Sequence, residues 1–144
     1  MQQDLDAALH QGQLDKLEQK IKALFAGIPW RNFTHNKLAG SEGYYASVLY
    51  AYFSSLNAEI VPEDISNRGQ ADLTVKLGNY IYVMEIKRDT SLEYTTQTPN
   101  PALAQIQERG YSQKYLASGK TVIELGLVFN THARNLVQMD GVKK

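Results

Sequence analysis

The chain contains no cysteine among its 144 residues, which excludes disulfide bonds, a thiolate zinc site and a thiol nucleophile. Its three histidines, His10, His35 and His132, lie far apart in the sequence and lack the spacing of metal ligands. It also lacks a Walker motif, so we do not expect this chain alone to hydrolyse ATP. Neither a histidine metal site nor a nucleotide-hydrolysing phosphate loop is therefore predicted.

An excess of either charge and a long apolar run are also missing. Fifteen basic and fifteen acidic residues cancel, so no overall positive field is available to bind nucleic acid nonspecifically. No apolar stretch reaches the length of a membrane span, and the N-terminus lacks the regions of a signal peptide. We therefore expect a cytoplasmic protein without a membrane partner, folded as one globular domain.

The most informative stretch runs from Ala71 to Arg88 and predicts a β-hairpin. Two runs of β-branched and aromatic residues flank Gly78-Asn79, a two-residue turn signal. Because side chains alternate along a strand, one face of this hairpin is expected to be apolar. That face comprises Leu73, Val75, Leu77, Tyr80, Tyr82, Met84 and Ile86.

Counting outward from the turn places Asp72 opposite Glu85, with Lys87 on the same face as Glu85. Like charges at opposed positions repel, and a divalent cation is the simplest species that makes this convergence favourable. The alternative is a solvated sheet edge, on which Asp72 merely begins a strand and Glu85 pairs with Lys87 or Arg88. The register favours the metal-site hypothesis.

A helix is predicted to begin between Asn36 and Glu42 and to end near Leu56. Glu42 lies on the same face as its apolar stripe, which comprises Tyr45, Leu49, Tyr52 and Leu56. A carboxylate in line with an inward-facing stripe is a candidate site residue. A first-turn Glu that complements the helix dipole from solvent is an equally good interpretation.

The remaining segments predict an α/β fold with a mixed sheet flanked by helices. Residues 1–27 form an added N-terminal helical segment, interrupted at Gly12, and residues 28–144 form the main domain. The other expected elements are an edge strand over 58–65 containing Pro62, a mobile loop over 89–100, a helix from Asn100-Pro101 to Gly119 and a buried strand over 121–129. The pattern after Asn130 assigns no element, and the last few residues are expected to be frayed.

This order of elements, with Asp72 on one strand and Glu85-Ile86-Lys87 on the next, resembles the PD-(D/E)XK nuclease superfamily. Ala71 stands where the name-giving motif has proline. The sequence is more closely similar to the nuclease-like domain found C-terminal to AAA-ATPase-like domains. Four stretches carry this resemblance: 42–45, 68–72, 82–87, and 102–106 followed by Tyr111 and Tyr115.

The resemblance implies a restriction-endonuclease-like α-β-β-β-α-β core and a phosphodiesterase that requires Mg²⁺ or Mn²⁺. It implies Asp72, Glu85 and the Ile86 carbonyl as metal ligands, with Glu42 completing the site. Lys87 would orient or help deprotonate the attacking water, and Gln105 would face the site from the following helix.

The implied substrate is nucleic acid, DNA before RNA, and an ATPase domain or another protein is an expected partner. The alternative is a catalytically weak or inactive nuclease-like module that recognises nucleic acid or protein. Any substrate-binding rim would draw on Arg68, Arg88, Arg109, Tyr111 and Lys114, each of which has solvated surface charge or core packing as its ordinary alternative.

Overall fold

The computed structural model describes residues 13–29, 42–56, 58–66 and 69–144. The predicted interruption at Gly12, the helix start before Glu42 and Arg68 lie outside these residues. Within them, no helix is both long and apolar enough to cross a membrane.

Three helices and five strands make up the described part of the chain. The strands form one sheet in the order β1-β2-β3-β4-β5, in which β3 and β4 are parallel and the other neighbours antiparallel. The elements are α1 (Leu14–Ala26), α2 (Glu42–Ser54), β1 (Glu59–Ser66), β2 (Gly69–Leu77), β3 (Tyr80–Asp89), α3 (Pro101–Arg109), a 3-10 turn (Gln113–Tyr115), β4 (Thr121–Asn130) and β5 (Asn135–Lys143). The mixed-sheet α/β fold is confirmed.

The predicted hairpin is confirmed in its register. Leu77 pairs with Tyr80 and Leu73 with Met84, which follows from the two-residue turn. All seven residues of the predicted apolar face lie in or against the larger core. The expected edge strand is also present, since β1 lies at the end of the sheet and Pro62 falls within it.

The sheet carries a hydrophobic core on each face. Helices α1 and α2 cover one face, where the Phe129 ring lies 4.8 Å from that of Phe25 and stacks 4.4 Å from that of Tyr45. Helix α3 and the 3-10 turn cover the other with a smaller cluster that includes Ile106 and Tyr111. The site described below lies where residues from both faces meet.

The helix predicted from residue 101 to Gly119 is wrong in its length, since α3 ends at Arg109. Gly110 follows with a φ of 65°, and its N–H donates to the Ile106 carbonyl. This left-handed cap is readily adopted by glycine and turns the chain out of the helix. The next residues form only the short 3-10 turn.

The segment after Asn130, to which the sequence pattern assigns no element, is a strand almost to its end. Residues 135–143 form β5, which pairs antiparallel with β4 from Asn130–Asn135 to Ile123–Lys143. Leu136 and Gln138 are buried along this strand. Pairing with the buried β4, which single-sequence patterning does not reveal, stabilises this segment as a strand.

The start of α3 is fastened to β4 by one side chain. The Asn100 Oδ1 accepts hydrogen bonds from the N–H groups of Ala102 and Leu103, and its Nδ2 donates to the Gly126 carbonyl. A Cβ atom at Gly126 would lie 2.3 Å from the Leu103 nitrogen. Only glycine therefore permits this close approach of α3 to the sheet.

Replacement of Gly126 by alanine should destabilise the fold by about 1–3 kcal/mol, because the new methyl group must displace the backbone of α3. Urea or thermal unfolding of purified protein measures the change. Gly27→Ala is the matched control, since a Cβ there meets no atom closer than 3.5 Å. It should shift stability by no more than about 1 kcal/mol. Equal stability of Gly126→Ala and wild type would contradict the close-approach argument.

Candidate active site

The strands of the hairpin stop pairing regularly beside Asp72. The last regular pair is Leu73–Met84. Beyond it, the Asp72 Oδ2, from the next residue on β2, accepts a hydrogen bond at 2.8 Å from the N–H of Ile86, two residues along β3. A side chain thus replaces the backbone ladder, which leaves the carboxylate between the two strands. Because the N–H and C=O of one strand residue point to the same side, the Ile86 carbonyl also faces the Asp72 side of β3.

Glu85 is the most constrained acid of the site. Only 4% of its surface is exposed, and its Oε1 accepts a hydrogen bond from the Gln105 Nε2 at 3.2 Å. Its Oε2 is buried and has no hydrogen-bond donor. Burial first, and then the negative charge of Asp72, raise the pKa of Glu85 to about 8, although Lys87 lowers it.

Asp72 shares this environment. Burial raises the pKa of its carboxyl above the ordinary value, whereas the Ile86 N–H and the contact with Glu85 oppose that rise. The charge of Glu42 adds to the rise, and Lys87 lowers the pKa. The hairpin thus gathers two acids that repel when both are ionised, with the half-buried Lys87 close enough to affect both. The predicted convergence of Asp72, Glu85 and Lys87 is present.

Glu42 approaches this pair from the first turn of α2. Its Oε2 accepts a hydrogen bond from the Arg88 N–H at 3.0 Å, and its charge raises the pKa of both Asp72 and Glu85. Among the described residues, no three His, Cys, Asp or Glu side chains converge closely enough to form a metal-binding group by themselves. The acids are therefore a close pair with Glu42 at its margin.

These groups suit a hard divalent cation. A buried carboxylate oxygen without a donor, a second carboxylate and a strand carbonyl are oxygen ligands, and Mg²⁺ commonly binds one or two carboxylates while retaining several waters. A cation there would satisfy the Glu85 Oε2 and remove the repulsion between the two acids. Two carboxylates and one carbonyl are therefore enough to hold a divalent cation without a third carboxylate.

Gln105 and Tyr111 form a second layer behind Glu85. The Gln105 Nε2 reaches both the Glu85 Oε1, at 3.2 Å, and the Tyr111 hydroxyl oxygen, at 3.4 Å. Tyr111 is buried in the smaller core, and its ring lies beside Gly69. Its position favours a role in holding Gln105 over direct contact with a substrate.

The expected basic rim is only partly assembled. Arg88 and Arg109 are exposed, whereas the Lys114 Nζ donates to the Asp64 carboxylate and, at 2.7 Å, to the Ile65 carbonyl. Burial alone would raise the pKa of Asp64, but its hydrogen bonds with Lys114 and Tyr115 outweigh burial and lower it. The structure thus places Lys114 in an ion pair with Asp64.

The loop over residues 89–100 is tied to the sheet. The side chain of Gln138 on β5 accepts a hydrogen bond from Tyr94 and contacts the backbone of Gln97 twice, at 3.1 Å and 2.9 Å. Asn130 binds the carboxylate of Asp89. These contacts attach the loop to β4 at its start and to β5 in its middle, and its mobility stays a prediction.

A cleft of about 490 Å³ that the sequence analysis missed opens beside Asp72 and Glu42. Its walls come from the exposed side of α2 and from β1 and β2 where they lie next to that helix. The sequence did carry a signal for it. Gly43, Ser47 and Tyr50 share one helix face that is separate from the apolar stripe.

Comparison with known proteins bears on this site. A model of the PD-(D/E)XK nuclease superfamily matches residues 40–139, which span the hairpin, α2, α3 and most of β5. A protein of Azotobacter chroococcum mcd 1, named "Uncharacterized protein in vnfD 5'region", is 36% identical over 121 residues. The matched region covers 84% of this chain and 22% of that protein. The match covers the strands that carry Asp72, Glu85 and Lys87, and the chain belongs to the PD-(D/E)XK nuclease superfamily.

Proposed function

We propose that this chain hydrolyses phosphodiester bonds of nucleic acid, DNA in particular, with Mg²⁺ or Mn²⁺ as cofactor. The observation that carries the proposal is the pair of acids beside Lys87, in which the buried Glu85 Oε2 has no hydrogen-bond donor. Two buried carboxylates this close are costly to ionise together without a cation, and the raised pKa of Glu85 reflects that cost. Perturbed groups of this kind cluster at functional sites.

The ligands in this proposal are the Asp72 and Glu85 carboxylates and the Ile86 carbonyl. Glu42 joins them by giving up its hydrogen bond with the Arg88 N–H. A cation held there supplies Lewis-acid polarisation of the scissile phosphate. The carbonyl is available because β2 no longer pairs regularly with β3 at this position.

Lys87 is the proposed catalytic residue. It follows Glu85 by two residues on one strand, a rise of about 6.6 Å, so its ammonium extends past the ligands toward the attacking water. There it orients that water, assists its deprotonation and stabilises negative charge on the phosphate. Gln105 holds the Glu85 carboxylate in one orientation through its 3.2 Å hydrogen bond.

A larger protein or a partner supplies part of the substrate grip in this proposal. The matched relative is much longer than the chain, which corresponds to 22% of it. Zero net charge gives the chain no overall positive field, and Lys114 is engaged with Asp64, so binding of a phosphate backbone depends on few local charges. An AAA-type ATPase domain is the proposed source of that grip.

Zero net charge and the position of Glu42 at the margin of the two acids are also compatible with a second candidate function. A nuclease-like module that recognises nucleic acid or protein without cleaving it would need neither a strong basic surface nor convergence of Glu42. The retained Lys87 beside the two acids favours the enzyme, because recognition alone has no evident need for that convergence.

Metal binding provides the first test. Titration calorimetry with Mn²⁺ or Mg²⁺ should detect one binding event in wild type and none in the Asp72→Asn, Glu85→Gln double variant, because both ligands then lack charge. Glu108→Gln, which alters an exposed acid on α3, is the matched control and should bind as wild type does. Equal binding by wild type and the double variant would refute the site.

Stability against pH provides the second test. The folded pKa of Glu85, about 8, exceeds the unfolded value of about 4.5, so its contribution is fully present below the unfolded pKa and is lost as pH rises through the folded pKa. In EDTA, wild type should lose more thermal stability between about pH 5 and about pH 8.5 than Glu85→Gln does. Added Mg²⁺ should restore wild type most at the higher pH.

The exposed Glu108→Gln substitution again serves as control and should keep the wild-type pH dependence. If Glu85→Gln melted with the same pH dependence as wild type, Glu85 would not be a strained acid in the metal-free fold.

Cleavage by Lys87→Ala provides the third test. This variant should lose at least about 100-fold in the rate of cleaving supercoiled, linear or single-stranded DNA or RNA, because it removes a group that acts in proton transfer. It should keep or improve metal affinity, since a neighbouring positive charge is removed. Activity assays with Mg²⁺ and Mn²⁺, beside calorimetry, separate the two effects.

Lys120→Ala changes an exposed lysine near the start of β4 and should leave cleavage unchanged. Cleavage that survived Lys87→Ala would mean that a contaminating nuclease or another site is responsible.

A further inference from the structure

The cleft next to the two acids has a shape and position suited to part of a substrate. It shares Asp72 and Glu42 with the proposed active site, so the two are continuous. From Glu42 to Tyr50 along α2 is a rise of about 12 Å, which carries the cleft well past the acids. Its volume of about 490 Å³ falls in the range of small-molecule sites, roughly 300–1,000 Å³.

Tyr50 supplies the aromatic surface of this cleft. It is 40% exposed although it lies on a helix whose other large side chains pack mostly inward. Its neighbours one turn earlier are Ala46 and Ser47, and the Ser47 hydroxyl already donates to the Gly43 carbonyl at 2.8 Å. Small side chains with satisfied polar groups leave room beside the tyrosine ring for a flat ligand.

The negative charge of the cleft disfavours the phosphate of a nucleotide and leaves its neutral base as the part that can enter. Its charged lining residues are Glu42, Glu63 and Asp72, and no lysine or arginine is among the described residues that line it. Carboxylates repel a phosphate that is not bridged by a cation, so the sugar-phosphate backbone is disfavoured beyond the metal site. A nucleobase is neutral, and the uncharged walls offer it both apolar surface, from Pro62 and Leu73, and polar groups, from Ser47 and Gln70.

We propose that this cleft binds one nucleobase of a single-stranded segment, stacked on Tyr50, next to the phosphate held at the two acids. The inference rests on the proposed function, which it deepens by assigning single-stranded or unpaired nucleic acid as the substrate class. A base within a duplex is stacked on both faces and paired along one edge, so it cannot enter the cleft without being extruded from the duplex. Stacking on an aromatic side chain accepts any base.

The test measures binding in the Lys87→Ala background with Mg²⁺, where cleavage does not interfere. Fluorescence anisotropy compares a labelled single-stranded oligonucleotide with a duplex of the same sequence. Adding Tyr50→Ala should weaken single-strand binding by about 5-fold or more, the loss typical of one stacked base, and change duplex binding by less than about 2-fold. Tyr50→Phe should retain single-strand affinity because the ring remains.

Abasic oligonucleotides identify the stacked base. A single abasic site is moved along the oligonucleotide, and at one position it should weaken binding to the Lys87→Ala protein as much as Tyr50→Ala does. At that position it should cause no further loss of affinity in the protein that also carries Tyr50→Ala. Leu116→Ala removes an exposed apolar side chain after the 3-10 turn and is the control for surface truncation in general.

The inference is overturned if Tyr50→Ala weakens the binding of duplex and of single strand equally. It is also overturned if no abasic position lowers the affinity of the Lys87→Ala protein for the single strand. A failure of the proposed function has a different signature, in which wild type cleaves nothing while the Tyr50-dependent preference for single strands persists. Cleavage by wild type combined with no effect of Tyr50→Ala would leave the nuclease intact and remove only the base site.

Discussion

The repulsion between two buried acids is the interaction on which the site depends. Asp72 and Glu85 lie together because the hairpin register brings them together, and burial makes their joint ionisation costly. The Ile86 N–H stabilises one of these carboxylates and the Gln105 amide the other, yet the Glu85 Oε2 has no donor. Joint ionisation of the pair is therefore unfavourable unless a divalent cation balances its charge, and perturbed carboxyl groups of this kind are common at metal-binding and catalytic sites.

The rest of the fold holds that pair in place. Helix α3 carries Gln105 to Glu85, and it can do so because Gly126 admits the helix close to β4 while Asn100 caps its first turn. On the other face, α2 presents Glu42 at its N-terminal end, with Tyr45 stacked on Phe129 behind it. Both helices are therefore fixed by the sheet core, which lets side chains from opposite faces act on one pair of acids.

Polar pairs buried beneath α3 and the 3-10 turn strengthen this arrangement. Asp64 on β1 accepts hydrogen bonds from Lys114 and Tyr115, and Glu124 on β4 accepts one from Ser112 at 2.6 Å. Burial is the main cause that raises the pKa of Tyr115, and its contact with Asp64 adds to it. Because buried carboxylates are costly when unpaired, these contacts favour one position of the segment after α3 over all others.

The sequence by itself determined the hairpin, its register and the convergence of Asp72, Glu85 and Lys87. The turn and the alternation of side chains as far as the Leu73–Met84 pair are local and act over fewer than twenty residues. The position of Asp72 beside Ile86 also depends on the end of regular pairing there. The tertiary structure decided the end of α3 at Gly110, the strand after Asn135, the Gln105–Tyr111 contact and the cleft beside Tyr50. The strand and the Gln105–Tyr111 contact depend on packing against distant parts of the chain. Local signals existed for the other two, a glycine at the helix end and an uncovered helix face, but only the packed structure shows that each one takes effect.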